Sequence, residues 1–104
     1  MAAFILADVD VPDMEAYIAS GYIENVPKIA ARFGGVYRAR GGDMELVEGD
    51  WMPDRMIIIE FPSMEKLKAF LDSEEYAPFR KIRQRLATSK IVAVDGLSEP
   101  LALD

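Results

Sequence analysis

The chain contains a run of apolar residues, 56–59, in which no alternate position is polar. Such a run is typical of a strand that is covered on both faces. Residues 4–11 form a second predicted strand; its first residues are apolar on both faces, and its acids come toward its end. The pattern therefore predicts a sheet with two apolar faces.

After each of these strands, apolar residues recur at helical spacing. Asp13 and Ser63 are the residue types that commonly cap the start of a helix, and each precedes such a stretch. Pro27 lacks the N–H for one helical hydrogen bond, so we expect a kink over residues 23–26. Gly34-Gly35 is a typical helix end. The predicted helices cover residues 14–33, 64–71 and 73–85.

The remaining strands complete a recognisable order. They are predicted over residues 36–40, resuming over 44–48 after a glycine pair, then over 55–61 and 89–95. The order βαββαβ predicts an α+β, ferredoxin-like fold with a four-stranded sheet of antiparallel type and its helices on one face. We assign residues 1–96 to one such domain and 97–104 to a C-terminal tail whose leucines suggest that it lies against something.

This arrangement leaves one apolar sheet face without helices. Soluble monomers rarely expose an apolar surface of that size. We therefore expect a homodimer in which two sheets pack face to face, forming a dimeric α/β barrel. The alternative is that Asp8, Arg38 and Arg40 make this face polar enough to remain exposed.

Composition removes several classes of function. With 12 basic and 18 acidic residues the net charge is −6, which argues against nucleic acid or an anionic membrane as a partner. The chain has no cysteine and no histidine, which excludes disulfides, thiolate chemistry and Ser-His-Asp triads. No metal or organic cofactor is indicated. No apolar stretch approaches the roughly 20 residues that span a bilayer, and the cytoplasm is the expected location.

Several short motifs carry a resemblance to a known family. They include Arg40-Gly41-Gly42, Glu48-Gly49-Asp50-Trp51 and Glu60-Phe61-Pro62-Ser63. Their order and spacing resemble the uncharacterised "domain of unknown function 1330" family of the dimeric α/β-barrel superfamily. The resemblance implies that fold and a dimer, and it brings no settled substrate. The wider superfamily includes cofactor-free monooxygenases, isomerases of cyclic acids and dehydratases; the catalytic histidines of some relatives have no counterpart here.

Glu60 and Asp8 are the predicted catalytic residues. Glu60 lies at the end of the central strand, and the first strand is expected to run parallel beside it, bringing Asp8 or Asp10 close. Carboxylates that meet in a dry layer raise one another's pKa, which suits a general acid or base. The alternative is that Glu60 only bonds backbone N–H groups or pairs with an arginine.

Five further residues are predicted to bind a substrate. Arg38 and Arg40, expected on one face of the second strand, could hold an anion, and Arg83 could turn inward toward an acid. Trp51 and Tyr76 would close the pocket. Alternatively, Trp51 folds back on its own hairpin or anchors an interface, and Tyr76 packs between helix and sheet.

These residues predict a cofactor-independent enzyme or binder for a small anionic or cyclic metabolite, held between the sheet and the helices. The alternative hypothesis is a non-catalytic ligand-binding or dimerisation module.

Overall fold

The structure, a computed structural model, describes residues 1–97. Residues 98–104, which are all but the first residue of the predicted C-terminal tail, therefore lie outside the described part. None of the helices in the described residues is long and apolar enough to cross a membrane. The elements are β1 (Ala3–Asp10), α1 (Met14–Ala19), α2 (Tyr22–Arg32), β2 (Val36–Arg40), β3 (Met56–Phe61), α3 (Met64–Leu71), α4 (Ala77–Leu86) and β4 (Thr88–Asp95).

The four strands form one sheet in the order β2-β3-β1-β4, and all three neighbouring pairs are antiparallel. This confirms the ferredoxin-like α+β fold. The prediction that the first and third strands run parallel was wrong. The helical crossover returns β2 parallel to β1, and β3 then runs back between them, so it opposes both. Asp8 consequently faces Met56, and Glu60 faces Phe4.

The core lies between the sheet and the helices. On β1 the side chains of Ile5, Ala7 and Val9 alternate toward this layer and are buried. Leu67 and Phe70 of α3 pack against them in the same apolar cluster. Full burial of a leucine or phenylalanine side chain contributes roughly 1.5–3 kcal/mol each. This layer is therefore the main source of stability that the described residues offer.

No helix of residues 1–97 covers the other face of the sheet, here called the open face. Leu6 pairs with Ile58 on one side and Val92 on the other, so their side chains share this face. Val92 is 61% exposed and Val94 is 47% exposed. The sheet thus has apolar side chains on both faces, as the sequence pattern predicts.

The first helical region is broken into two helices, and the break lies earlier than the predicted kink at residues 23–26. Gly21 separates α1 from α2 with a φ of +85°, a conformation that residues with a Cβ adopt at a cost. The Asn25 side-chain amide donates to the Gly21 carbonyl at 2.8 Å. Pro27 is accommodated inside α2. Gly34, with a φ of +83°, follows the end of this helix, as predicted.

Residues 41–55, here called the arm, contain no regular structure. The predicted strand over residues 44–48 is therefore absent. Its alternation is real, but the returning segment contains Pro53, which cannot donate to a ladder, so pairing does not extend past the arm's base. There the Gly41 N–H donates to the Met56 carbonyl at 2.9 Å. The arm is closed at its base and exposed beyond it.

Candidate functional site

A cavity of about 40 Å³, partly open to solvent, lies between the sheet and the helices. We call it the tyrosine cavity because all four tyrosines of the chain line it: Tyr17, Tyr22, Tyr37 and Tyr76. Its other walls are aliphatic or aromatic, with one exception. Arg83 of α4 brings a guanidinium group to this otherwise apolar space.

Three of the polar groups in the cavity form a hydrogen-bonded chain. The hydroxyls of Tyr22 and Tyr76 lie 2.8 Å apart, and Arg83 Nε donates to the Tyr76 hydroxyl at 3.2 Å. The bond between the phenols uses one of their two protons, whichever phenol donates. The other phenol proton remains available to an acceptor in the cavity.

Burial raises the pKa of three of the phenols in the cavity. It raises the pKa of Tyr17 to about 12 and that of Tyr37 to about 12. Burial, together with the neighbouring Tyr76, also raises the pKa of Tyr22 well above its ordinary value. Burial disfavours the charged form of Arg83. The hydrogen bond and the electrostatic contact between Arg83 and Tyr76 outweigh that effect, so the pKa of Arg83 is raised. Near neutral pH the cavity therefore offers phenol donors and one cation.

The local sequence explains how these side chains meet. The turn at Gly21 folds α1 against α2, so the rings of Tyr17 and Tyr22 lie with centroids 4.9 Å apart and planes tilted by 31°. Tyr76 ends a turn in which its N–H donates to Ser73 Oγ at 3.2 Å. Arg83 follows Tyr76 by two helical turns and so lies on the same face of α4.

Of the predicted substrate-binding residues, Tyr76 and Arg83 lie together in the tyrosine cavity. Arg40 lies on the same side of the sheet, its guanidinium carbon 5.7 Å from the centre of the Tyr37 ring. Arg38 does not lie on that side of the sheet. The prediction that Arg38 and Arg40 share a face was therefore wrong. The register of β2 against β3 shifts between Tyr37 and Ala39, and this bulge at Arg38 turns its side chain to the open face.

Asp8 and Glu60 do not meet. Both lie on the open face, but their positions are four residues apart along the sheet, about 13 Å. Glu60 instead pairs with Arg38, with Oε1 3.1 Å from Nε. Asp8 Oδ1 accepts from the backbone N–H groups of Asp54, at 2.9 Å, and Arg55, at 3.4 Å. The prediction that the two carboxylates lie close together was therefore wrong. Glu60 pairs with a side-chain cation, and Asp8 accepts hydrogen bonds from the backbone.

Trp51 lies on the arm, 62% exposed, beside Leu6 and Met56 on the open face. Tyr76 is buried on the opposite side of the sheet. The two side chains cannot close one pocket within a single chain, so that prediction was wrong too. Among residues 1–97, no three acidic side chains come together in a group that could hold a metal ion.

Sequence reasoning missed three of the four tyrosines. Tyr17 and Tyr22 fit the apolar stripe of the first helical region, which is typical of core residues, and Tyr37 lies in a predicted strand; none of the three was singled out for the site. A signal was available. A buried phenol oxygen needs a hydrogen-bond partner, so several tyrosines among apolar residues indicate a polar patch inside the core.

Comparison with solved structures identifies proteins of the same fold. The RPA0582 protein of unknown function from Rhodopseudomonas palustris superposes with a TM-score of 0.68 at 20% identity, covering 94% of this chain and 84% of that one. SnoaB, a cofactor-independent oxygenase from Streptomyces nogalater, gives a TM-score of 0.62 at 15% identity, covering 96% and 95%. Rv0793 from Mycobacterium tuberculosis gives 0.62 at 17% identity, covering 95% and 98%. At these identities the likeness shows the fold alone.

No curated protein sequence matches the chain. Residues 2–97, nearly the whole chain, match the family described as "Domain of unknown function (DUF1330)". The ferredoxin-like sheet, the four helices on one of its faces and this match agree with the resemblance in the sequence motifs. The chain belongs to the DUF1330 family.

Proposed function

We propose that the tyrosine cavity binds a small cyclic molecule that is largely apolar and carries one anionic or enolic oxygen. The observation that carries this proposal is the chain of Tyr22, Tyr76 and Arg83 inside apolar walls. Ligand sites commonly combine apolar walls with a few converging polar groups. The cavity offers one cation and one phenol proton for donation, and these suit a ligand with a single oxygen on a planar ring.

The same groups support a cofactor-independent enzyme. A reaction that develops negative charge on a carbonyl or phenol oxygen would be accelerated by donors already aimed at that oxygen in a dry site. Arg83 supplies the charge and Tyr22 or Tyr76 the donated hydrogen bond. Tyr22 serves as a donor and not as a base, because burial raises its pKa. The shared fold of SnoaB, a cofactor-independent oxygenase, is consistent with this proposal.

We also propose that the chain is a homodimer through the open face. Its support is the row of apolar side chains that none of the helices in the described part of the chain covers, among them Leu6, Ile58 and Val92. Asp8, Glu60, Arg38 and Trp51 lie on this face, so within this proposal they act at or near the dimer interface. Tyr76, Arg83 and the adjacent Arg40 act at the ligand.

The binding proposal is tested with a panel of phenols, naphthols and cyclic carboxylates, using ligand-observed NMR and calorimetry. We expect at least one class to bind, and Arg83→Gln to weaken it about 10-fold to 100-fold, the cost of losing a charged hydrogen bond. Lys81→Gln, an exposed substitution on the same helix, is the matched control and should leave affinity unchanged. Binding by no member of the panel, or equal affinity in both variants, would contradict the proposal.

Tyr22→Phe separates an enzyme from a binder. The substitution keeps the ring and removes the hydroxyl that lies against Tyr76. An enzyme that uses this proton should lose turnover of a bound ligand by more than it loses affinity. A binding module should lose only affinity, and no member of the panel should be converted by the unmodified protein.

A further inference from the structure

Two arginines that the tyrosine cavity does not include lie beside it, on the same side of the sheet. Arg40 pairs with Ile57 at the end of β2, and Arg55, just before β3, shares a face with Ile57 by the alternation of the strand. Both arginines and Ile57 line a second, smaller cavity of about 20 Å³. The fold therefore brings two guanidinium groups to one place next to the tyrosines.

The two cavities share part of their walls. Tyr17, Tyr22 and Tyr37 line both of them. Arg83 enters the tyrosine cavity from α4, which packs against β4 at one edge of the sheet, whereas Arg40 belongs to β2 at the other edge. The combined site thus has positive charge toward each edge of the sheet, with aromatic and aliphatic walls between.

Neither Arg40 nor Arg55 forms an ion pair within residues 1–97, where the paired arginines are Arg32 and Arg38. Their charges reach the phenol of Tyr37: burial raises the pKa of this group to about 12, and the two guanidinium groups oppose that rise. Like charges brought to one place repel each other, and an anion bound between them removes that repulsion. The pair of arginines is therefore suited to an anion.

A glycine next to Arg40 makes room for the side chain of Arg55. Gly41 has a φ of +65°, and its N–H donates to the Met56 carbonyl, which holds the end of β2 against the start of β3. A Cβ at this position would lie 2.9 Å from Arg55 Nε, closer than packed atoms approach. The Arg55 side chain therefore lies directly against the backbone at Gly41, beside Arg40. This contact gives the Arg-Gly-Gly motif of the sequence a structural role.

We infer that Arg40 and Arg55 bind a carboxylate of the ligand, in addition to the ring oxygen that Tyr76 and Arg83 hold. Guanidinium groups match the planar shape of a carboxylate and donate paired hydrogen bonds to it. The cavity at the two arginines is smaller than the tyrosine cavity, which suits a substituent of the ring and not the ring itself. The inference rests on the proposed function and narrows its ligand to cyclic hydroxy or keto acids.

Matched ligands measure the contribution of the carboxylate. The probes are para-hydroxybenzoate and its neutral amide, and calorimetry gives the affinity of the protein for each. We expect the acid to bind about tenfold more tightly than the amide, the effect of a charged hydrogen bond. Arg55→Gln and Arg40→Gln should each remove most of this difference and leave the affinity for the amide unchanged. Arg85→Gln, the same substitution at an exposed position that lines neither cavity, should preserve the difference.

The outcomes separate this inference from the proposed function. Equal affinity for the acid and the amide, or an equal loss of acid binding in Arg55→Gln and Arg85→Gln, overturns the inference. The proposed function still stands in that case, provided that a phenol or naphthol binds and that Arg83→Gln weakens it. If no compound of either set binds, both are overturned.

Gly41→Ala tests how Arg55 is positioned. The added Cβ would displace the Arg55 side chain, so the variant should lose affinity for para-hydroxybenzoate and keep its affinity for the amide. Binding of the amide also shows that the variant is folded. Gly42→Ala, whose added Cβ would meet nothing within 4 Å, is the matched control and should bind both compounds as the unmodified protein does. Unchanged binding of the acid by Gly41→Ala, or an equal loss for the acid and the amide, would contradict the role of this glycine in placing Arg55.

Discussion

Tyr17 and Tyr37 couple the stability of the protein to pH in a defined direction. Burial raises the pKa of each to about 12, whereas a tyrosine in an unfolded chain ionises near 10. Below pH 10 both states hold these protons, and the tyrosines add no pH dependence. Between about pH 10 and 12 the unfolded chain releases them first, so the free energy of unfolding falls as pH rises.

We expect Tyr17 alone to account for a loss of about 2 kcal/mol of stability by pH 12. Urea denaturation at pH 8, 10 and 11.5 measures the decline, and Tyr17→Phe should make it shallower because no phenol is left to ionise at this position. Phenolate absorbance provides the check. If all the tyrosines of the folded protein ionise near pH 10 without loss of structure, the buried setting of these phenols is wrong.

Residue type and spacing were enough to single out Tyr76 and Arg83 as binding residues. The structure places both at one cavity, and their role in binding stays a prediction. The partners of Glu60 and Arg38 depended on strand direction and on a bulge. Neither is visible in a period-two pattern, because the pattern is unchanged when a strand is reversed.

The break between α1 and α2 is the element-scale feature that shapes the tyrosine cavity. Gly21 holds a φ of +85°, and an added Cβ would lie 3.0 Å from the Asn25 side-chain nitrogen. We expect Gly21→Ala to lower the free energy of unfolding by about 1–2 kcal/mol, since the left-handed conformation costs that much for a residue with a Cβ. Chemical denaturation measures the change.

Gly42→Ala is the matched control for this substitution. Its added Cβ would meet nothing within 4 Å, and the position lies in the exposed arm. We expect stability within about 0.5 kcal/mol of the unmodified protein. Equal effects of the two substitutions would mean that the turn at Gly21 is not specifically strained by a side chain.

Prediction of the helices and strands failed where their formation depended on a second segment of the chain. Residues 44–48 alternate as a strand should, yet they remain in the arm because the segment that would pair with them contains Pro53. Pro27 was the visible helix breaker, yet α2 runs through it and the chain turns at Gly21. Hydrophobic alternation and helix-breaking residues indicate only a local preference. Contacts with other segments of the chain decide which structure forms.

For the whole molecule, the sequence pattern predicted an apolar sheet face without helices, and the helices of residues 1–97 do leave one apolar face uncovered. What covers that face is set by the surface of a second molecule, which the pattern of one chain cannot specify. We expect Val92→Lys, a charge in the middle of the open face, to make the protein monomeric at micromolar concentration. Sedimentation velocity measures the outcome.

Ile18→Lys is the control for that experiment. Ile18 is 58% exposed, close to the 61% of Val92, but it lies on α1, on the helical side. The two substitutions add the same charge to comparably exposed apolar positions. A dimer that survives Val92→Lys, or one that is lost equally with Ile18→Lys, would contradict association through the open face.

The bulge at Arg38 has a consequence for polymerisation. A sheet with two free edges can grow into a filament when one edge of each molecule adds to the opposite edge of the next. Here β4 offers eight regular residues, but β2 has only five, with its ladder interrupted at the bulge. Edge pairing through β4 alone joins two molecules and stops, so the irregular strand protects this chain from open-ended fibre growth.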